Sequence, residues 1–284
     1  MKRTEFLKIG MIALMAIGVL YTSCKNDNPE PTPTTNNYKS ATDNSTAEGI
    51  FNRSYNQVDG AAKTTYFKGT DTTTCPTLTV TGASWPKTFT LDYGVGCTCI
   101  DGYIRSGKII STITAPYLDS LCTITTTFQD YKEKFGTTGT EYSVGNATTQ
   151  VITNLGHNNL GHPIFTVNVT NASVSSVDGT ISWTSTRTNE MTAGYNSFMN
   201  PFDDVYIVTG SSSGTDGNGA PFSVNITSGL QWQYCTTLYR WLVVGGSLEV
   251  NNPGYPTIYV DYGTGTCDAT ITVTVNGQVY TIYC

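Results

Sequence analysis

Histidine occurs twice in this chain, charged side chains make up 13%, and leucine, alanine, glutamate and lysine are sparse. Each shortage closes off a class of protein. Basic residues are few and form no patch, which argues against nucleic acid as a partner. With helix formers scarce, no stretch offers the crossover helices that a parallel sheet requires. His157 and His162 lie in a Gly- and Asn-rich loop with no carboxylate beside them in the sequence, so a metal centre built on them is short of ligands. The apolar run Ile9 to Leu20 is too short to span a bilayer comfortably. What remains is rich in Thr, Gly, Tyr, Val and Ile, a strand-forming composition.

The N-terminus carries a processing signal. Lys2, Arg3 and Lys8 precede the apolar run, and Leu20-Tyr21-Thr22-Ser23-Cys24 resembles the lipobox of bacterial lipoproteins. That resemblance implies a signal peptide over residues 1–23 and acylation of Cys24, which would hold the protein at a membrane without a spanning helix. Cleavage would remove three positive charges and one negative, taking the formal charge from -6 to -8. An acidic surface is repelled by anionic headgroups, so the anchor must do the membrane binding. Lys25-Asn26-Asp27-Asn28-Pro29-Glu30 is similar to the charged tract that routes some lipoproteins to the outer face of the outer membrane. Residues 24–45 read as a disordered tether of Pro, Thr, Asn and Ser.

The mature chain is organised around a pattern written twice. Trp85-Pro86 leads through alternating residues to Asp92-Tyr93-Gly94-Val95-Gly96-Cys97, and Tyr255-Pro256 leads likewise to Asp261-Tyr262-Gly263-Thr264-Gly265-Thr266-Cys267. Proline opens a strand where no ladder N–H is needed, alternation buries one face, and the glycines permit a turn at positive φ. Further period-two runs recur from Leu78 to Val275, separated by Asp101-Gly102, Asp178-Gly179, Asp216-Gly217 and Asn276-Gly277. The last is the strongest hairpin signal. One helix is expected over Thr46–Gly60, with Phe51, Tyr55 and Val58 on one face and the helix lying over an edge or open end of the sheet. Residues 46–284 therefore read as one large all-β domain with two related halves. A dozen antiparallel strands should curl into a sandwich or a partly closed barrel. An outer-membrane barrel fits less well, because a lipid anchor would be redundant and the cysteines suit an exported soluble domain.

The repeat supplies a pairing rule for the cysteines. A cysteine upstream of each Pro-led strand bonds the one after Asp-Tyr-Gly, giving Cys75–Cys97 and Cys235–Cys267, each worth about 3 kcal/mol. Cys99–Cys122 is then expected to tie the next two strands, with Cys284 left over. Cys97-x-Cys99 has the wrong spacing for a zinc knuckle. Asp92 and Asp261 occupy equal positions in the two copies, so they are candidates for a shared ligand or Ca²⁺ site or, alternatively, for capping their own glycine turns. Gly210-Ser211-Ser212-Ser213-Gly214 matches a nucleophile elbow by letter but lacks its strand-to-helix context. Trp85, Trp183, Trp232 and Trp241 with the tyrosines are candidates for a sugar-stacking platform, or else for core pairs across strands.

Cys75-Pro76-Thr77, Pro86-Lys87-Thr88, the first Asp-Tyr-Gly segment through Cys97, Asp101-Gly102, Arg105-Ser106-Gly107-Lys108 and the second copy through Cys267 resemble a group of uncharacterised outer-envelope bacterial lipoproteins. Cys99, Cys122 and Cys284 are extras on that pattern. The resemblance implies an outer-membrane, lipid-anchored protein that is exposed at the cell surface, and it brings no activity, catalytic residue or cofactor with it. The expected role is non-enzymatic binding or structure in the envelope. The alternative is a glycan-binding component of a polysaccharide uptake system. The partners expected are the membrane through Cys24 and either a glycan or another envelope protein.

Overall fold

The computed structural model describes residues 25–26, 38–68, 75–99, 101–116, 119–197, 200–238 and 240–283. The expected signal peptide, Cys24 and Cys284 lie outside the described residues, as does most of the expected tether. Among the described residues a single α-helix, α1 (Tyr38–Lys68), precedes the main run of strands. The first strands are β1 (Lys25–Asn26), β2 (Thr77–Thr81), β3 (Lys87–Asp92), β4 (Cys97–Thr98), β5 (Tyr103–Ile113), β6 (Thr123–Phe135), β7 (Tyr142–Val144) and β8 (Thr149–His157). They are followed by β9 (Pro163–Ser176), β10 (Gly179–Ala193), β11 (Val205–Thr215), β12 (Pro221–Cys235), β13 (Arg240–Asn251), β14 (Ile258–Thr264), β15 (Thr270–Val275) and β16 (Gln278–Tyr283).

These strands form one antiparallel sheet, a meander whose order runs β1-β16-β15-β14-β13-β12-β11-β10-β9-β7-β6-β5-β3-β2, with β4 on β5 and β8 between β6 and β9. The all-β meander expected from the sequence is the fold. The sheet bends into a partial ring around α1, which touches strands as far apart in the order as β3, β5, β10 and β12. Among the described residues the order ends at β1 on one side and β2 on the other, with no pairing between the two.

Alternation sets the inner face. In β10, Ile181, Trp183, Ser185 and Arg187 are buried while the residues between them are exposed. β6 keeps its inner face past Phe128 by a bulge. Asp130 sits at φ 51 opposite Gly107 at φ 76, and Tyr131 and Glu133 then continue the buried set. The Asn276-Gly277 turn joins β15 to β16 with both residues at positive φ, as a two-residue hairpin requires. Gly210 to Gly214 lies inside β11, so it forms no elbow.

The helix differs from expectation in extent and position. It begins at Tyr38, within the expected tether, and runs through Gly60 to Lys68. It lies against the concave face of the sheet and not over an edge. Its buried side holds Ala47, Ile50, Phe51, Ser54 and Val58, at i, i+3, i+4, i+7 and i+11. Phe51 stacks on Trp183 at 5.4 Å and meets Phe128 edge-on at 5.9 Å. The first turns carry no apolar period because polar groups anchor them. Asn252 Nδ2 donates to Ser40 Oγ (2.6 Å), which donates to Asp216 (2.8 Å). Trp183 Nε1 and Ser212 Oγ both donate to Asn44 Oδ1, at 2.9 and 2.7 Å. Arg187 binds Glu48 through two nitrogens, at 2.9 and 3.1 Å.

Candidate functional site

At one end of the sheet the inner face continues beyond the core as a run of aromatic rings. Leu230 is buried and pairs with Val208; two residues on, Trp232 pairs with Tyr206 on β11 and with Val243 on β13, and Tyr234 pairs with Trp241. Residues directly opposite each other, and residues two apart on one strand, share a face. Tyr206, Trp232, Tyr234 and Trp241 therefore point the same way as Leu230. A 3₁₀ turn, Pro201–Asp203, adds Phe202, placed by Asn200 Oδ1 accepting from the Phe202 N–H at 3.3 Å.

The five rings form an unbroken chain. Centroid separations are 4.7 Å for Phe202–Tyr234, 6.0 Å for Tyr234–Trp241, 4.4 Å for Trp241–Trp232 and 5.7 Å for Trp232–Tyr206. Phe202 is 56% exposed and the other four are half-buried. Two carboxylates adjoin them. Tyr206 donates its hydroxyl to Asp204 Oδ2 at 3.2 Å, and Asp59 approaches from α1. Burial first, then the Asp204 and Asp59 charges, pushes the Tyr206 phenol far up, and burial followed by Asp59 does the same to Tyr55. Both hydroxyls stay neutral. A small cleft lined by Tyr55, Cys122, Ile124, Ile152, Asn154 and Phe165 also lies on the inner face, with space for about one water molecule.

The four tryptophans thus divide. Trp232 and Trp241 join the run of rings. Trp183 is 3% exposed and belongs to the core, so it is no part of a surface platform. Trp85 stands apart, with Lys87 Nζ 5.0 Å from its ring centroid. Tyr206, Tyr234 and Phe202 complete the cluster. The alternation in Gln231-Trp232-Gln233-Tyr234 is the signal that could have put two of these rings on one face; the register with β11 and β13 leaves no trace in spacing.

Asp92 and Asp261 take matching positions in their two turns. Asp92 Oδ1 accepts from Gly94 N at 2.9 Å and Asp261 Oδ1 from Gly263 N at 2.8 Å, with both glycines at positive φ. Asp92 also faces Lys108 at 3.0 Å. The Gly94 N–H and then Lys108 hold the Asp92 carboxyl below its ordinary value. Each carboxylate is engaged in its own turn.

The repeat-based disulfides Cys75–Cys97 and Cys235–Cys267 are both formed. The expected Cys99–Cys122 bond is not; both are buried thiols. The reason is geometric. Cys99 N donates to Tyr103 O beside the start of β5, whereas Cys122 Sγ donates to Ala115 O beyond its end. The length of β5 separates them, about 30 Å for such a strand. Cys99 instead lies with its Sγ 3.1 Å from Cys75 Sγ. Among the described residues, Cys75, Cys97 and Cys99 are the gathering of metal-ligand types that the fold assembles, two of them already spent on a disulfide.

His162 gains a carboxylate that the sequence did not put beside it. Its Nδ1 lies 2.6 Å from Glu190 Oε1, which also accepts from Asn158 Nδ2 at 2.9 Å. The His162 hydrogen bond, followed by Asn158, lowers the Glu190 carboxyl. This contact ties the β8–β9 turn to β10. Compared with protein-family models, with curated proteins and with solved structures, the chain gives no match to any of the three.

Proposed function

We propose that the protein is a non-enzymatic, lipid-anchored envelope protein that binds glycan through the Phe202–Tyr234–Trp241–Trp232–Tyr206 rings. The single observation that carries this reading is the continuity of the five rings on one face of β11, β12 and β13. Aromatic faces bury the apolar C–H faces of pyranose rings, and carboxylates such as Asp204 and Asp59 accept hydrogen bonds from sugar hydroxyls. Negative charge beside the rings favours neutral over anionic polysaccharides. Acylation at Cys24 would hold the domain at the outer membrane, and surface exposure would put the ring face in contact with external polysaccharide.

Titration of the folded protein with neutral polysaccharides tests the reading, followed by tryptophan fluorescence. Binding is expected with a change in emission, and Trp241→Ala should weaken it by about fivefold or more, since an aromatic contact of this kind contributes about 1–3 kcal/mol. Trp85→Ala should bind like the parent. No binding to any polysaccharide, with emission unmoved, overturns the glycan reading.

A further inference from the structure

We propose that Cys75, Cys97 and Cys99 form a thiol–disulfide relay, in which the Cys99 thiolate attacks Cys75 Sγ and releases Cys97 as a thiol at the start of β4. The starting point is the contact already described: a buried, unoxidised Cys99 with its Sγ 3.1 Å from one sulfur of an intact disulfide. The third sulfur lies within reach as well, since all three fall within 4.8 Å of one another. Exchange therefore needs no large displacement of the chain.

The step balances without an outside reagent. A new Cys75–Cys99 bond forms, the Cys75–Cys97 bond breaks, and the proton lost from Cys99 is taken up by Cys97. Nothing is oxidised or reduced overall. The two products are not equivalent in exposure, however. Cys99 is 7% exposed, whereas Cys97 is half-buried and follows the exposed residues Val95 and Gly96. Exchange converts a sheltered thiol into a half-buried one, which can attack a disulfide-bearing molecule, forming a mixed disulfide and releasing that molecule's second sulfur as a thiol.

The surroundings set the poise. Burial pushes the Cys99 thiol up, opposed by a hydrogen bond and charge from Arg105 on β5; Asp101 in the β4–β5 turn and Glu133 on β6 add to the upward push. Arg105 is itself held by Asp101 at 2.8 and 2.6 Å. The thiolate is the attacking species, so exchange should be slow at neutral pH and accelerate in alkali.

The test uses the folded full chain, a maleimide probe and fragmentation mass spectrometry that separates Cys97 from Cys99. Under native conditions at alkaline pH, Cys97 should be labelled and the remaining bond should be Cys75–Cys99. In Cys99→Ser, labelling of Cys97 should fall by about tenfold or more, to the rate set by unfolding. In Cys97→Ser, which retains a possible partner for Cys75, a Cys75–Cys99 bond should form in air. Two outcomes would overturn the proposal. One is Cys97 labelling equal in the parent and Cys99→Ser; the other is a folded Cys97→Ser with free thiols at both Cys75 and Cys99.

Discussion

Replacing Glu133 by Gln tests how the helix is fixed to the sheet. Glu133 is 1% exposed, and its two oxygens do different work. Oε1 accepts from Arg53 of α1 at 2.9 and 2.6 Å, while Oε2 accepts the Tyr131 hydroxyl at 2.9 Å and lies 3.6 Å from Arg105 Nε. Arg105 retains Asp101 when this carboxylate is gone; among the described residues, Arg53 has no second carboxylate of that kind. Breaking one side of a buried ion pair costs about 3–5 kcal/mol, because the remaining charge stays desolvated. The Arg53 side chain is 28% exposed, so water recovers part of the loss. The expected cost is therefore near the lower bound, about 3 kcal/mol. At roughly 2–4 °C per kcal/mol for a domain of this size, the midpoint should drop by about 6–12 °C. Urea unfolding followed by far-UV circular dichroism measures the change directly, with m unchanged. The double variant Arg53→Met/Glu133→Leu should recover most of it, since neither charge is left behind. A loss below about 1 kcal/mol in Glu133→Gln, at unchanged m, would refute the reasoning that this carboxylate closes the seam.

Two further perturbations separate the devices at the ends of the sheet. Cys235→Ser removes the disulfide that closes a separation of 32 residues, and about 3–4 kcal/mol of stability should go with it; a urea midpoint within error of the parent would show that the crosslink does not constrain the unfolded chain. Asp92 titrates below its ordinary value of 3.8 in the folded state, so its contribution is present above that pH and is lost as pH falls through the lower folded value. Asp92→Asn keeps an acceptor for Gly94 N–H but abolishes that titration, and a thermal melt series from pH 6 down to about 2 should show a flatter acid limb. An acid limb identical to the parent's would assign the slope to other carboxylates.

The strands were legible because their burial alternates over whole segments, and the two repeat disulfides because each cysteine pair brackets the same Pro-led strand. The helix was legible only where its buried side is apolar. From Tyr38 to Asn44 the burial is polar, and Ser40, Asp43 and Asn44 look like linker residues until Asp216, Gly217, Trp183 and Ser212 are brought to them from more than a hundred residues away. Hydrogen bonds of such range leave no periodic trace. The same limit produced the Cys99–Cys122 error. Counting thiols identifies which cysteines remain, but the strand that lies between two of them decides whether they can meet.

The aromatic site follows from the architecture that these long-range contacts create. A partial ring wound on a helix has its inner face filled where the helix lies against it: Phe51 occupies the centre, and Ser40 to Glu48 occupy one end. β11, β12 and β13 extend the same face beyond Leu230, and there the sequence continues to place large rings where a solvated face would carry threonine or glutamine, as the opposite face does at Gln231 and Gln233. Apolar surface left in water is unfavourable by about 25 cal/mol per Å², so rings kept half-exposed lose stability that a molecule stacked on them would restore. Covering them should therefore stabilise the fold as well as mark binding. A bound neutral polysaccharide is expected to raise the melting midpoint of the parent and not of Trp241→Ala. An equal rise in both proteins would place the contact elsewhere on the sheet.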